Sequence, residues 1–259
     1  MSTLLIRAGR IASTEFDAVL VRNGLIDAIG RSPDFAGRAE ETLDFPNQWI
    51  TYGLHDHHFH PLGYAAAVNG LSLHAAEDLD DLYDRLRLAA DRLDPHLAVI
   101  GTRLNEESMA EQRLPTRADL DRAVPTRPVL LYRYCGHVAV ANSAALHLAG
   151  FQSETGLLRE QEIQIVANPL AELQPALEVE AVHTALAGLA GLGLTRMTAI
   201  VSAGDPIWCG SRDEIDTLLA VAPSLPMDFE ILVAASSPEE LEAAAIRIDG
   251  AASNLSFLG

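Results

Sequence analysis

Trp49-Ile50-Thr51-Tyr52-Gly53-Leu54-His55-Asp56-His57-His58-Phe59-His60 is the stretch on which the reading of this chain turns. Its apolar start predicts a strand that runs into a loop at Pro61. His58 and His60 stand two apart, so on a strand they share a face. Imidazole nitrogens are good ligands for Zn²⁺, Fe²⁺ and similar ions, which makes the pair a candidate metal centre. At the carboxyl end of a barrel strand, such a pair converges on the mouth, where barrel enzymes do their chemistry. Asp56 falls on the same face one step earlier, suited to orienting a ligand from behind it. His55, His57 and Phe59 point the other way. Two imidazoles leave a tetrahedral ion short of ligands, so this chain by itself is expected to bind metal weakly.

Toward the amino terminus, residues 1–50 read as short strands. Val19–Arg22 and Leu25–Ile29 flank Asn23-Gly24, a dipeptide suited to a tight hairpin because both turn positions need positive φ. Ala8-Gly9-Arg10 reads as a second tight turn. Toward the carboxyl terminus, strands and helices alternate. Leu79, Leu82, Leu86, Ala89 or Ala90, and Leu93 repeat at helical spacing, and Pro95 stops the helix. Thr116 with Asp119 resembles a capping box, and Val129, Leu130 and Leu131 mark a buried strand. Further on, residues 177–192 predict a helix and Thr195–Val201 a strand. Ser211 with Glu214 opens a helix through Ala222, and Met227–Ala234 is the next strand. Ser237-Pro238 with Glu240 starts another helix, and Leu255–Leu258 another strand. Alternation of this kind predicts parallel β/α units with right-handed crossovers. The boundary between the small sheet and the β/α region is placed near residue 50.

Composition removes several classes of function. The chain has 259 residues, 49% of them hydrophobic, so it can bury a core. No apolar run approaches the roughly 18 residues needed to span a bilayer, and the start of the chain is too polar for a signal peptide. Thirty-six acidic against 18 basic residues give a net charge of −18, which disfavours nucleic acid as a partner. Two cysteines, Cys135 and Cys209, make no disulfide framework and fit a reducing cytoplasm. There is no lysine at all, so every fixed positive side chain is arginine.

Five further blocks narrow the reading. Pro115-Thr116-Arg117-Ala118-Asp119-Leu120-Asp121 is followed by Arg127-Pro128-Val129 and by Cys135-Gly136-His137. Asn142-Ser143-Ala144-Ala145-Leu146 and Gly156-Leu157-Leu158-Arg159-Glu160 complete the series. With Gly53-x-x-Asp56-x-His58-x-His60, their order and spacing resemble the amino-terminal half of the amidohydrolase superfamily, in its metal-dependent branch that includes N-substituted formamide deformylase. The resemblance implies an α/β chain: a small β-sandwich segment over 1–50, then a partial (β/α) TIM-like barrel over 51–259 with an inserted α/β region. It implies His58 and His60 as metal ligands, with Asp56 behind them, for one or two divalent ions, zinc foremost. It places His137, Asn105 and Glu160 near the substrate. No catalytic acid or base is assigned within the chain. Cys135 has no base beside it in sequence and reads as a packing residue.

The chain departs from the family pattern at Tyr52, where a proline is usual, and at Ala199, where an aspartate is common. The resemblance also implies that a bridging lysine or acidic group, two more histidines and a late aspartate come from outside these residues. The expectation is therefore one subunit of a split hydrolase acting on an amide-like C–N bond of a small molecule, completed by a second polypeptide that supplies the other barrel half. A non-catalytic scaffold derived from such an enzyme, or a fragment of a longer hydrolase, is the alternative.

Overall fold

The computed structural model describes residues 2–174, 177–203 and 214–259. The chain divides into two compact units, Met1–Leu54 and His55–Gly259. The first unit is built on β1 (Thr3–Ile11), β2 (Ala18–Arg22), β3 (Leu25–Gly30) and β4 (Glu41–Ile50), in the order β3-β2-β1-β4. Neighbours are antiparallel except β1 and β4, which run parallel. Asn23 and Gly24 take φ of 52° and 81°, as the hairpin between β2 and β3 requires. The turn expected at Ala8-Gly9-Arg10 is instead an irregularity inside β1, where the register against β4 shifts. Glycine is needed there because a Cβ on Gly9 would come within 2.6 Å of the Pro46 carbonyl oxygen. Leu5, Ala18, Leu20 and Phe35 close a small core on one face of this sheet. On the other face the register lines up Ile6 with Val19, Ile29 and Leu43, and Ala8 with Phe45.

The second unit opens inside β5 (Leu54–Phe59), at His55, and continues into α1 (Pro61–Asn69). Pro61 thus starts a helix, where its missing N–H costs nothing, and the expected loop is absent. There follow β6 (Leu71–Ser72), α2 (Leu79–Arg92), β7 (Val99–Leu104), α3 (Arg117–Ala123), β8 (Val129–Arg133), β9 (Val138–Ala141), α4 (Ser143–Leu148), β10 (Leu157–Arg159) and α5 (Gln161–Leu170). Their strands form one five-stranded sheet, β10-β9-β8-β7-β6. Burial on both faces explains why β8 is apolar from Val129 to Leu131. Val129 and Leu131 face the helices α2 and α3, while Leu130 faces α4 and α5. The capping box is present in both halves, with Thr116 and Asp119 each bonding the other's backbone N–H.

The chain then returns to the sheet that β5 began. α6 (Val179–Ala190), β11 (Leu194–Ala203), α7 (Glu214–Val221), β12 (Asp228–Ala235), α8 (Pro238–Ile248) and β13 (Leu255–Phe257) complete it, in the order β13-β12-β11-β5. β11, β12 and β13 are mutually parallel. Met197, Ala199 and Val201 of β11 and Phe229 and Ile231 of β12 pack with α1, α6, α7 and α8. Intervening positions 196, 198, 228 and 230 therefore belong to the opposite face. Ala199 thus fills a helix-packed position with no room for solvent, being 0% exposed. Ser237 caps α8 through the Glu240 N–H; Ser211, expected to cap α7, and Cys209 lie outside the described residues. Among the described residues, each unit is thus mixed or open: the first has a single four-stranded sheet and the second has no closed barrel.

Candidate metal centre

β5 carries the histidine cluster at its end. His60 is the last residue before α1, and its carbonyl accepts the Tyr64 N–H at 2.9 Å, so strand end and helix start fix its backbone together. The His58 and His60 rings lie edge to face with centroids 5.3 Å apart. Burial, and then the nearness of His58, push the His60 imidazole below its ordinary pKa. Both causes favour the neutral ring, the form that offers a lone pair to a cation. The Asp56 Oδ1 accepts the His58 backbone N–H at 3.0 Å, so this carboxylate holds the main chain at the pair. Among the described residues, no group of three or more His, Cys, Asp or Glu is placed to hold a metal ion. The donors present fit two positions of a metal site.

A second polar cluster escaped the sequence reading. His55, set aside above, places Nε2 3.1 Å from Thr198 Oγ1, and its ring lies 3.7 Å, centroid to centroid, from that of His57. Thr198 donates to Glu230 Oε2 at 3.3 Å. Arg196 reaches Glu230 Oε1 at 3.2 Å and Asp228 Oδ2 at 3.1 Å. Arg196 stands directly across from Asp228, and Thr198 from Glu230, in the β11–β12 register. The signal was available as Arg196-x-Thr198 and Asp228-x-Glu230, polar residues at period two inside otherwise apolar strands. Close by in sequence, Glu214 is 8% exposed and accepts the Ser202 N–H at 2.7 Å. Burial raises its carboxyl pKa in spite of that bond.

The remaining candidates sit on the inserted sheet. His137 follows the β8–β9 turn, where Gly136 takes φ of 76°, and its Nδ1 lies 3.2 Å from Glu160 Oε2. Sequence reasoning named both residues without pairing them. Glu160 itself holds φ of 46°, a conformation costly for a residue with a Cβ, immediately before α5. Asn105 uses its side-chain oxygen to cap a short helical turn through the Glu107 N–H at 3.3 Å. Beside it Glu106 accepts the Arg133 Nε at 2.8 Å. Arg133 Nη1 also lies 3.6 Å from the Cys135 sulfur. Burial would raise that thiol's pKa, but the His137 backbone N–H and Arg133 bonded to it turn the net shift downward. Cys135 is half-buried beside an arginine and belongs to none of the apolar clusters, so the expected packing role does not describe its surroundings.

A family model described as the amidohydrolase family matches residues 47–252, which takes in β5, the inserted sheet and β11 to α8. The chain belongs to the amidohydrolase family. N-substituted formamide deformylase of Arthrobacter pascens is 32% identical over 143 residues, covering 53% of this chain and 26% of the deformylase. The protein LONG AFTER FAR-RED 3 of Arabidopsis thaliana is 26% identical over 163 residues, 60% of this chain and 28% of that protein. The matched stretch of this amidohydrolase chain therefore spans about a quarter of the length of these curated relatives. Among solved structures, an uncharacterized metal-dependent hydrolase from Pyrococcus furiosus superposes with a TM-score of 0.62 at 21% identity, over 93% of this chain and 51% of that one. At that identity the likeness speaks for the fold. No helix among the described residues is long and apolar enough to cross a membrane.

Proposed function

We propose that this chain contributes His58 and His60 to the metal centre of an amidohydrolase that cleaves an amide-like C–N bond in a small molecule. The observation that carries the reading is the close His58/His60 pair, one ring biased toward its neutral form by burial, at the end of β5, the first strand of its sheet. A divalent ion, zinc by the reading adopted here, would lower the pKa of a bound water and polarise the substrate carbonyl. The chain's own contribution is to hold the imidazoles in place through Asp56 and the β5–α1 junction. His137, oriented by Glu160, is suited to donate to a carbonyl oxygen or a product carboxylate, and Asn105 is assigned to the substrate by the family resemblance alone.

Remaining ligands and the proton-transfer group come from polypeptide beyond these 259 residues, supplied by a second chain. Two features support a missing partner. In the first unit the sheet face opposite the small core leaves Ile26, Ile29, Leu43 and Phe45 67%, 43%, 38% and 39% exposed. A second sheet laid on that face would complete a β-sandwich. In the second unit β13 and β5 are, among the described residues, the two edges of an open sheet, which further β/α units would close into a barrel.

Native mass spectrometry of the protein as purified, with metal analysis of the same sample, tests this. A complex with a different chain and one or two metal ions supports the split hydrolase. A metal-free assembly of identical chains that buries the apolar face rejects it in favour of a non-catalytic scaffold.

A further inference from the structure

The hydrogen-bonded row across β5, β11 and β12 has a direction that its chemistry fixes. Thr198 has one hydroxyl hydrogen, and it goes to Glu230 Oε2. The Thr198 oxygen must then accept, so His55 Nε2 is the donor in the 3.1 Å contact. Glu230 is fixed from its other side by Arg196, which is itself held by Asp228. Thr198 is 5% exposed and its hydroxyl is held by Glu230, so its oxygen offers His55 a fixed acceptor, and Glu230 Oε2 lies 3.6 Å from the same His55 Nε2.

This matters because, among the described residues, β5 is an edge strand whose one hydrogen-bonded neighbour is β11. Slippage by one residue sends every side chain of a strand to the other face, and an edge strand has one neighbour to oppose it. His55 is three residues ahead of His58 on the same short strand, and Asp56 ties the His58 N–H in between. We propose that the His55–Thr198–Glu230 row is a positioning device: it pins the register of β5 and so holds His58 and His60 together for a cation. This inference rests on the metal reading above. None of the three is a catalytic residue on this account, and Thr198 acts on the metal pair only through His55.

The test is calorimetric titration of the metal-stripped protein as purified, together with any partner chain it carries, with Zn²⁺, using Thr198→Val and Thr198→Ser at a temperature where each is folded by circular dichroism. Valine keeps the shape and removes the hydroxyl; serine restores it. The valine variant should bind Zn²⁺ about tenfold more weakly, the lower end of what the loss of such an outer partner costs. The serine variant should recover the unsubstituted affinity. Equal affinity in Thr198→Val and the unsubstituted chain overturns the positioning role while leaving the metal reading intact. If the unsubstituted protein, assembled as purified, takes up no Zn²⁺, the metal reading itself falls, and this one with it. Should the valine variant fail to fold, ¹⁵N NMR of the unsubstituted protein decides instead. A hydrogen on His55 Nε2 is required, and an unprotonated Nε2 refutes the row.

Discussion

Removing the side chain of Asn142 should damage this protein more than removing any exposed residue, and the form of the damage is specific. Asn142 is 0% exposed and makes four bonds. Its Oδ1 accepts the Val129 and Ala145 N–H groups, each at 3.0 Å. Its Nδ2 donates to the Val124 carbonyl at 3.1 Å and the Arg127 carbonyl at 2.8 Å. One amide thus caps α4, anchors the start of β8 and ties down the loop after α3. Loss of a helix cap costs about 1 kcal/mol. Each buried group left unpaired adds about 1–3 kcal/mol, incompletely additive because the four share one site. Asn142→Ala should therefore lose about 3–5 kcal/mol, a large part of a typical domain's stability. Asn142→Asp is the sharper experiment. Aspartate caps helices as well as asparagine does and keeps both acceptor bonds. It cannot donate, and it sets a carboxylate against two carbonyl oxygens. If the donors matter as argued, the Asp variant falls by about 3 kcal/mol at neutral pH in urea-monitored unfolding. An Asp variant within about 0.5 kcal/mol of the unsubstituted chain would falsify the accounting and leave a simple cap. His137 lies on the hairpin that ends at Asn142, so the loosened variant should also broaden its NMR resonance.

Other outcomes follow from the same reasoning. Burial pushes the Asp119 carboxyl up, but Arg113, the Thr116 N–H and the Tyr83 hydroxyl bonded to it prevail and hold it well below the usual carboxylate range. Its stabilisation is therefore present above about pH 4 and lost as pH falls further. Asp119→Ala should cost about 2 kcal/mol at pH 7, and chemical denaturation should show the difference shrinking in acid. Burial raises the Glu214 carboxyl, so its favourable term is present below about pH 4.5 and lost as pH rises. Glu214→Gln keeps an acceptor for the Ser202 N–H and should gain stability over the parent chain as pH rises from about 4.5 to about 8; a gain independent of pH would contradict this. Gly156 takes φ of 80°, and a Cβ there would meet the Ala141 carbonyl oxygen at 2.3 Å. Gly156→Ala should lower the melting temperature by several degrees, for a loss of about 2 kcal/mol or more.

Local features were legible in the sequence because short-range chemistry sets them. Asn23-Gly24 could only be a turn with positive φ, Thr116 and Asp119 reach each other within one helical turn, and Ser237 caps through a bond three residues long. The run Val129-Leu130-Leu131 announced a strand buried on both faces. His58 and His60 could be paired because they stand two residues apart at the end of one strand. Gly9 was misread, since glycine serves both turns and close approaches, and only the path of β4 past Pro46 distinguishes them. Pro61 was misread likewise, because proline ends a strand as readily as it begins a helix.

Tertiary structure decided whatever depends on contacts across long stretches of chain. The sequence by itself determined the family's metal-pair signature, the alternation of strand and helix, and the polar and apolar faces of each element. It could not say that His55 lies against Thr198, 143 residues away, or that Glu160 meets His137 across 23. Nor could it show Asn142 joining three segments at once. Sequence pattern carries period and propensity, which act over a few residues. Which strands become neighbours depends on burying all the apolar faces together, and that is settled only when the whole sheet assembles.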